Sequence, residues 1–248
     1  MGLNRLKDKV AIVTGSTRGI GRAIAIGYGR EGAKVVVTGT KTHLCEEVSA
    51  LIRSEGGEAI GIPCDVSKME DIDNLYAKTL EAYGRVDIAV NNAGVAKFKP
   101  FLEMDRETVS WIWNINMYGT YFCAQRAAQQ MVKQGDGGKI INMSSITAET
   151  GQVGLSAYAP TKAAITLMTK CMAIEMAPHK INVNAIGAGT ILTDINRDVL
   201  DFEHDEREIP LGIGMPEDMV GIAVFMATDE SRYMTGHTVY VDGGYNLK

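Results

Sequence analysis

The sequence predicts a single doubly wound α/β domain, and three observations carry that prediction. Seven short β-rich runs recur along the 248 residues with helical patterns between them, an alternation that implies a parallel sheet covered by helices on both faces. A glycine-rich segment joins the first run to the first helical pattern, which makes a strand–turn–helix unit. Hydrophobic content is 46% against 22% charged, and no repeat, low-complexity tract or linker interrupts the pattern. Residues 1–248 therefore read as one soluble domain large enough for a full core.

The first strand is Val10–Thr14, a continuous apolar run of the kind a strand buried on both faces needs. Gly15-Ser16-Thr17-Arg18-Gly19-Ile20-Gly21 follows, and a helical pattern runs from Arg22 to Gly29. Further strands are read at Lys34–Gly39, Glu58–Pro63, Val86–Val90, Lys139–Met143, Ile181–Ile186 and Thr238–Val241. Two longer helices are expected, around Thr108–Lys133 and over Tyr158–Met176. On the second, the stripe Ile165, Met168, Met172 and Met176 fits a core face or a subunit interface, which periodicity does not separate. Trp111 and Trp113 read as packing residues near the site entrance. A doubly wound sheet places its ligand cleft outside the carboxyl ends of the strands, and Gly15, Asn91, Ser145 and Gly187 each follow a strand directly and converge there.

Two segments in that cleft carry chemistry. The glycine-rich turn lets the backbone approach a pyrophosphate, while the helix behind it offers unpaired N–H groups and a positive dipole end. Its spacing, Gly15-x-x-x-Gly19-x-Gly21, differs from the common Gly-x-Gly-x-x-Gly, and an ordinary strand–helix connection is the competing reading. The second segment is Tyr158-Ala159-Pro160-Thr161-Lys162, thirteen residues after Ser145. A tyrosine and a lysine four apart on a helix share one face. A phenol with a pKa of about 10 is a poor base near neutrality, and a fixed cation beside it favours the phenolate. Such a pair moves a proton on and off an alcohol, although the same spacing occurs on many exposed helices. Pro160 costs little if the helix begins near Ser156 or Ala157, because it then lies in the first turn.

Taken together, these motifs resemble those of the short-chain dehydrogenase/reductase family over essentially the whole chain. The family's Thr-Gly-x-x-x-Gly-x-Gly is matched by Thr14, Gly15, Gly19 and Gly21, and its Asn-Asn-Ala-Gly by Asn91-Asn92-Ala93-Gly94. Its helix-borne asparagine is matched by Asn116, and its Ser, Tyr and Lys by Ser145, Tyr158 and Lys162. The resemblance implies a seven-stranded Rossmann domain and a hydride-transfer enzyme. Tyr158 would be the general acid/base, Lys162 would lower its pKa, and Ser145, with Ser144 as competitor, would hold the substrate oxygen. Asn116 would serve a water relay to Lys162, or else only a helix-bend hydrogen bond. Cofactor contacts are implied at Gly15, Thr17, Arg18, Gly19, Ile20, Gly21, Thr40, Lys41, Asp65, Val66, Asn92, Ala93, Gly94, Tyr158, Lys162, Gly189, Ile191 and Thr193. Asp65 would meet the adenine, with a helix N-cap as the alternative, a role Ser67 could also fill. One departure is visible: Ala188-Gly189 stands where the family usually has Pro-Gly, which adds a backbone N–H and frees φ.

The second strand ends at Gly39, where an acidic residue would favour NAD(H), and Lys41 and Arg18 lie close by. NADP(H) is therefore favoured and NAD(H) remains possible; the alternative is that both cations are merely solvated. The charged stretch 193–214, which includes Asp194, Arg197, Asp198, Asp201, Glu203, His204, Asp205, Glu206, Arg207 and Glu208, reads as a substrate lid or as a solvated helix face. Ile191–Asn196, Ile209–Gly212 and Val241–Gly244 resemble bacterial sugar and polyol dehydrogenases of the family, so a small hydroxylated substrate is expected. The rival, a 3-oxoacyl-carrier-protein reductase, carries arginines where this chain has Asp136 and His179. A non-catalytic NADP sensor is disfavoured because such proteins usually lose the Tyr or the Lys, and both are present. Relatives pair the two long helices between subunits, which implies a homotetramer. A net charge of −5 argues against a nucleic-acid partner, and no apolar run reaches membrane-spanning length. None of the histidines is read as a metal ligand. Cys45, Cys64, Cys123 and Cys171 are far apart and read as buried thiols, and with no apolar signal region in Met1–Lys9 a cytoplasmic location is expected.

Overall fold

The computed structural model describes residues 3–198, 200 and 207–247. Seven strands form one all-parallel sheet: β1 (Val10–Val13), β2 (Lys34–Gly39), β3 (Glu58–Pro63), β4 (Ile88–Asn91), β5 (Gly138–Ser145), β6 (Ile181–Ala188) and β7 (Thr238–Val241). Their order is β3-β2-β1-β4-β5-β6-β7, so the order reverses between β1 and β4. The crevice that this reversal opens at the carboxyl ends is where a doubly wound sheet binds ligands.

Alternation along each strand feeds two cores. Ala11, Val13, Val35 and Val37 face α1 (Gly19–Arg30), α2 (Thr42–Ser54) and α7 (Val220–Ala227). Ile12, Val36, Ile140 and Val183 face α3 (Met69–Tyr83), α5 (Thr120–Gln134) and α6 (Ala159–Met176). Of the stripe on α6, Ile165 and Met168 are buried, and Met172 and Met176, partly buried, pack against the second core. The opposite face of α6 leaves Leu167 and Ile174 exposed, at 64% and 77%.

Four expectations need correction. The single helix expected around Thr108–Lys133 is two, α4 (Arg106–Trp113) and α5, joined by a π-helical turn at Asn114–Gly119. Such a turn arises where a side chain is bonded outside the helix, and Asn116 is tied to Val95 across the turn. Helix α6 starts at Ala159, with Tyr158 as its N-cap residue, so Pro160 still falls in the first turn. Trp111 lies on the outer side of α4, 44% exposed, rather than packed at the entrance. Cys171 is exposed because it shares the outer side of α6 with Leu167 and Ile174; the other three cysteines are buried. Among the described residues, no helix is long and apolar enough to cross a membrane.

Candidate active site

The phosphate-binding turn is built by contact rather than by sequence spacing alone. Gly15 has φ +63° and Gly19 φ +54°, a region that side-chain-bearing residues rarely adopt. A Cβ at Gly15 would lie 2.8 Å from the Ala93 backbone, so the turn sits directly against the segment after β4. Thr14 and Asn92 lock the two together. Thr14 Oγ1 accepts from the N–H groups of Asn92 (2.9 Å) and Ala93 (3.1 Å), and Asn92 Nδ2 donates to the carbonyls of Thr14 (2.9 Å) and Gly15 (3.1 Å). Helix α1 begins at Gly19 with no side-chain cap and no acidic residue in its first turn. Its leading N–H groups and dipole are thus left for an anion.

A cleft of about 390 Å³ opens above this turn. It gathers Gly15, Thr17, Arg18, Gly19, Ile20 and Gly21 from the turn and Gly39, Thr40 and Lys41 from the end of β2. Asp65 and Val66, Asn92, Ala93 and Gly94, Tyr158 and Lys162, and Thr193 complete the expected set. Gly189 and Ile191 lie behind the wall. The Gly189 N–H donates to Val241 O (2.9 Å), and Ile191 is buried in the core that α1 and α7 share. Cys64, Ile115, Met143, Asp194 and Ile195 also line the cleft, and no spacing or periodicity announces them. Asp65 is not a helix N-cap, and neither is Ser67: α3 is preceded by Lys68, and Asp65 Oδ1 accepts from the Ser67 N–H and hydroxyl. Arg18 reaches across the mouth to Asp194 (3.6 Å), and both side chains are exposed. Of the lid stretch 193–214, Asp201, Glu203, His204, Asp205 and Glu206 lie outside the described residues.

At the inner end stand Ser145, Tyr158 and Lys162. Strand β5 runs to Ser145 and carries adjacent hydroxyls to opposite duties. Ser144 Oγ bonds the Lys162 carbonyl (3.1 Å) and Thr166 Oγ1 (2.8 Å), so it holds α6 in place. Ser145 accepts from the Thr147 N–H (3.2 Å) and hydroxyl (3.0 Å). Lys162 is 5% exposed; its Nζ donates to Met143 O (2.9 Å) and lies 5.5 Å from the Tyr158 ring centroid. Burial pushes the Tyr158 phenol up to about 12, opposed by the nearby Ser145 hydroxyl, and pushes Lys162 down to about 8. Without a bound charge, both groups are thus biased toward neutrality.

Asn116 is fully buried in the π-helical turn. Its Oδ1 accepts from the Val95 N–H (2.8 Å), and its Nδ2 donates to Val95 O (2.9 Å) and Thr161 Oγ1 (3.3 Å). The side-chain amide therefore braces the cleft wall against α6. Beside it, Gly94 leaves open the space between Asn116 and Lys162. A further buried chain, Asn91 Nδ2 to Asn142 Oδ1 (2.8 Å) and Asn142 Nδ2 to Thr169 (2.9 Å), links β4, β5 and α6 beneath the site.

The geometry agrees with the comparisons. The family profile described as enoyl-(acyl carrier protein) reductase matches residues 15–246. An L-rhamnose 1-dehydrogenase (NAD(P)(+)) of Azotobacter vinelandii is 42% identical, covering 96% of this chain and 97% of its own. A 3-oxoacyl-(acyl-carrier-protein) reductase of Aquifex aeolicus is 36% identical, covering 97% and 98%. The crystal structure of a gluconate 5-dehydrogenase from Burkholderia cenocepacia, in complex with NADP and tartrate, superposes with a TM-score of 0.94 at 30% identity, covering 99% and 98%. The chain belongs to the short-chain dehydrogenase/reductase family, NAD(P)-dependent oxidoreductases that act on CH–OH groups.

Proposed function

We propose that this member of the short-chain dehydrogenase/reductase family oxidises a CH–OH group of a free sugar or polyol, or reduces the corresponding carbonyl, with NADP(H) as preferred cofactor. The observation that carries the reading is the half-buried Tyr158 beside the buried Lys162, both lining the inner end of a cleft whose outer end is glycine-lined and cationic, with Ser144 also in the lining and the buried Ser145 next to it on β5. The residues present fit a nicotinamide dinucleotide. Gly15, Gly19 and Gly21 keep the turn free of side chains, the uncapped α1 receives the pyrophosphate, and Lys162 stands at the nicotinamide end. Bound there, the nicotinamide accepts or supplies the hydride.

The chain's own residues handle the oxygen and its proton. Tyr158 takes the hydroxyl proton as the C–H hydride leaves the carbinol carbon, and returns it in the reverse direction. Ser145 donates to the same oxygen while charge develops on it. Lys162, fixed by Met143 O, supplies the positive charge that favours the phenolate. Asn116 holds the turn that shapes the wall beside Lys162, as its bonds to Val95 and Thr161 place it.

The preference for NADP(H) rests on Gly39, which puts no carboxylate at the end of β2, and on Arg18 and Lys41 at the same mouth. The sugar reading is supported by the L-rhamnose and gluconate dehydrogenases among the relatives. A carrier-protein thioester is disfavoured because Asp136 and His179 stand where reductases of that kind carry arginines, and Asp136 is paired with Arg85. A cytoplasmic homotetramer using the exposed faces of α4 to α6 completes the proposal, and a stable monomer in solution would contradict that part.

The test is nicotinamide absorbance with NADP+ and NAD+ separately, across aldoses, polyols and aldonates, with a 3-oxoacyl thioester and NADPH as counter-test. Turnover on a free sugar or polyol supports the reading; turnover on the thioester alone overturns it. The Tyr158→Phe variant is expected to bind cofactor normally and to lose at least about a hundredfold in kcat. Full activity in that variant would remove the proposed mechanism.

A further inference from the structure

We propose that a second cavity, at the amino ends of β1, β4, β5 and β6, binds a small multiply charged oxyanion, phosphate or a phosphomonoester. The cavity measures about 640 Å³ and lies at the opposite end of the sheet from the cleft. Lys139 in this cavity lies six positions before Ser145 along β5, roughly 20 Å at the rise of a strand.

The argument is one of charge balance. Lys9 precedes β1, Lys139 is the second residue of β5, Lys180 precedes β6, and Arg232 follows α7; all four line the cavity. The carboxylates there are Asp87, Asp136 and Asp229. Arg85 is shared by two of them: it bonds both oxygens of Asp87 (2.7–3.0 Å) and reaches Asp136 (3.3 Å), and Asp87 also accepts from the Val10 N–H (2.9 Å). With Arg85 counted, the cations outnumber the carboxylates by two, and the surplus lies with the other four, Lys9, Lys139, Lys180 and Arg232. Among the described residues, none of those four makes an ion pair within 4.0 Å.

Lys139 makes the imbalance costly. It is 8% exposed, and its Nζ donates to one neutral acceptor, Asn182 Oδ1 at 2.8 Å. A largely buried ammonium with a neutral acceptor and no direct ion pair is unfavourable. Burial lowers its pKa, and the nearby Lys9 pushes the same way, against Asp229. An anion in the cavity would relieve that cost at Lys139 while Lys9, Lys180 and Arg232 close round it from the rim. The cavity exceeds the size of a halide, and a cluster of ammonium groups with one guanidinium matches an oxyanion with several acceptor atoms.

The test is thermal unfolding of the full chain in sodium phosphate and in sodium chloride at matched ionic strength. With phosphate at about twenty times its dissociation constant, linkage predicts a rise in Tm of roughly 4 °C. The rise is expected to survive in Arg18→Ala, which alters the cofactor cleft, and to fall by at least half in Lys139→Gln and in Lys180→Asn. Asparagine is chosen at 180 because Lys180 has φ +58°, which asparagine tolerates, so this variant stays informative if Lys139→Gln folds poorly. No rise over chloride would overturn the proposal, as would a rise abolished by Arg18→Ala and untouched by both lysine variants. Neither readout depends on catalysis, so failure of the dehydrogenase reading leaves this test intact.

Discussion

Replacing Lys162 by methionine removes a buried ammonium and keeps most of the side-chain volume, so its effect on stability follows from two opposed quantities. Burial moves the Lys162 pKa from 10.5 to about 8, and two and a half units correspond to about 3 kcal/mol of destabilisation of the charged folded state. Against that gain, Met143 O loses its donor, which costs about 1–3 kcal/mol. Near neutral pH the variant is expected to be more stable by about 0–2 kcal/mol while losing turnover. The pH dependence isolates the first quantity. Below pH of about 8 both states of the wild type hold the proton, and the penalty is fully present. As pH rises toward 10.5 the folded state gives up the proton while the unfolded state keeps it, and wild-type stability recovers. The stability advantage of Lys162→Met should therefore shrink by roughly 2–3 kcal/mol between about pH 7 and pH 10, measured by urea unfolding of both proteins. A difference constant to within about 0.5 kcal/mol across that range would refute the claim that burial disfavours this ammonium.

Gly39→Asp should shift cofactor preference toward NAD(H), and Gly39→Ala separates charge from bulk. A Cβ there lies 2.9 Å from Thr17 Cγ2, so the alanine variant should weaken both cofactors alike. The carboxylate should add a loss for NADP(H) of about 2 kcal/mol, or about thirtyfold in kcat/KM, the lower part of the range for charges about 4 Å apart near a surface. An unchanged NADP/NAD ratio in Gly39→Asp would contradict the placement of the 2′-phosphate. Asn116→Ala removes the partner of the half-buried Val95 N–H and carbonyl and should cost about 1–3 kcal/mol in urea unfolding. A change within about 0.5 kcal/mol would show that the turn does not rely on that amide.

Much of the fold is legible because short β-rich runs recur between helical patterns, at the half-buried edges β3 and β7 as well as at the buried β2. The runs Lys34–Gly39, Glu58–Pro63 and Thr238–Val241 coincide with β2, β3 and β7. Strands β5 and β6 extend two residues beyond the runs expected for them, through Ser144, Ser145, Gly187 and Ala188, because ladder pairing continues where side-chain preference for strands has ended. This also answers the Ala188 departure: the segment stays in the sheet, paired with Ser145 and Val241, instead of loosening. The π-helical turn was not legible, since the apolar period of α4 and α5 continues across it. Spacing to Tyr158 favours Ser145 over Ser144 as the substrate-facing hydroxyl, whereas the duty of Ser144 toward α6 has no sequence signal. Nothing in spacing says that Asn91, Asn142 and Thr169 meet, because ladder register joins the first two, 51 apart in sequence, and packing of α6 on β5 joins the last two, 27 apart.

The motif residues divide their labour in a way that sequence matching conceals. Thr14, Asn92 and Asn116, three of the most recognisable positions, spend their hydrogen bonds on the protein itself, fixing the glycine turn and the cleft wall. What they leave exposed is backbone: the uncapped start of α1 and the open space at Gly94 between Asn116 and Lys162. The groups that face chemistry, Tyr158 and Lys162, are held in an environment that disfavours charge on both. Near neutral pH this leaves Lys162 charged, because its pKa of about 8 lies above that pH, and Tyr158 protonated, because its own is about 12. That is the resting state suited to donating a proton to a forming alkoxide. Removing a proton from an alcohol requires the phenol to ionise against its burial, and the Ser145 hydroxyl and positive charge beside the ring both offset that cost. In the proposed mechanism, the fixed position of Lys162 on Met143 O, rather than any intrinsic acidity of Tyr158, would be the protein's own contribution to the oxidative direction.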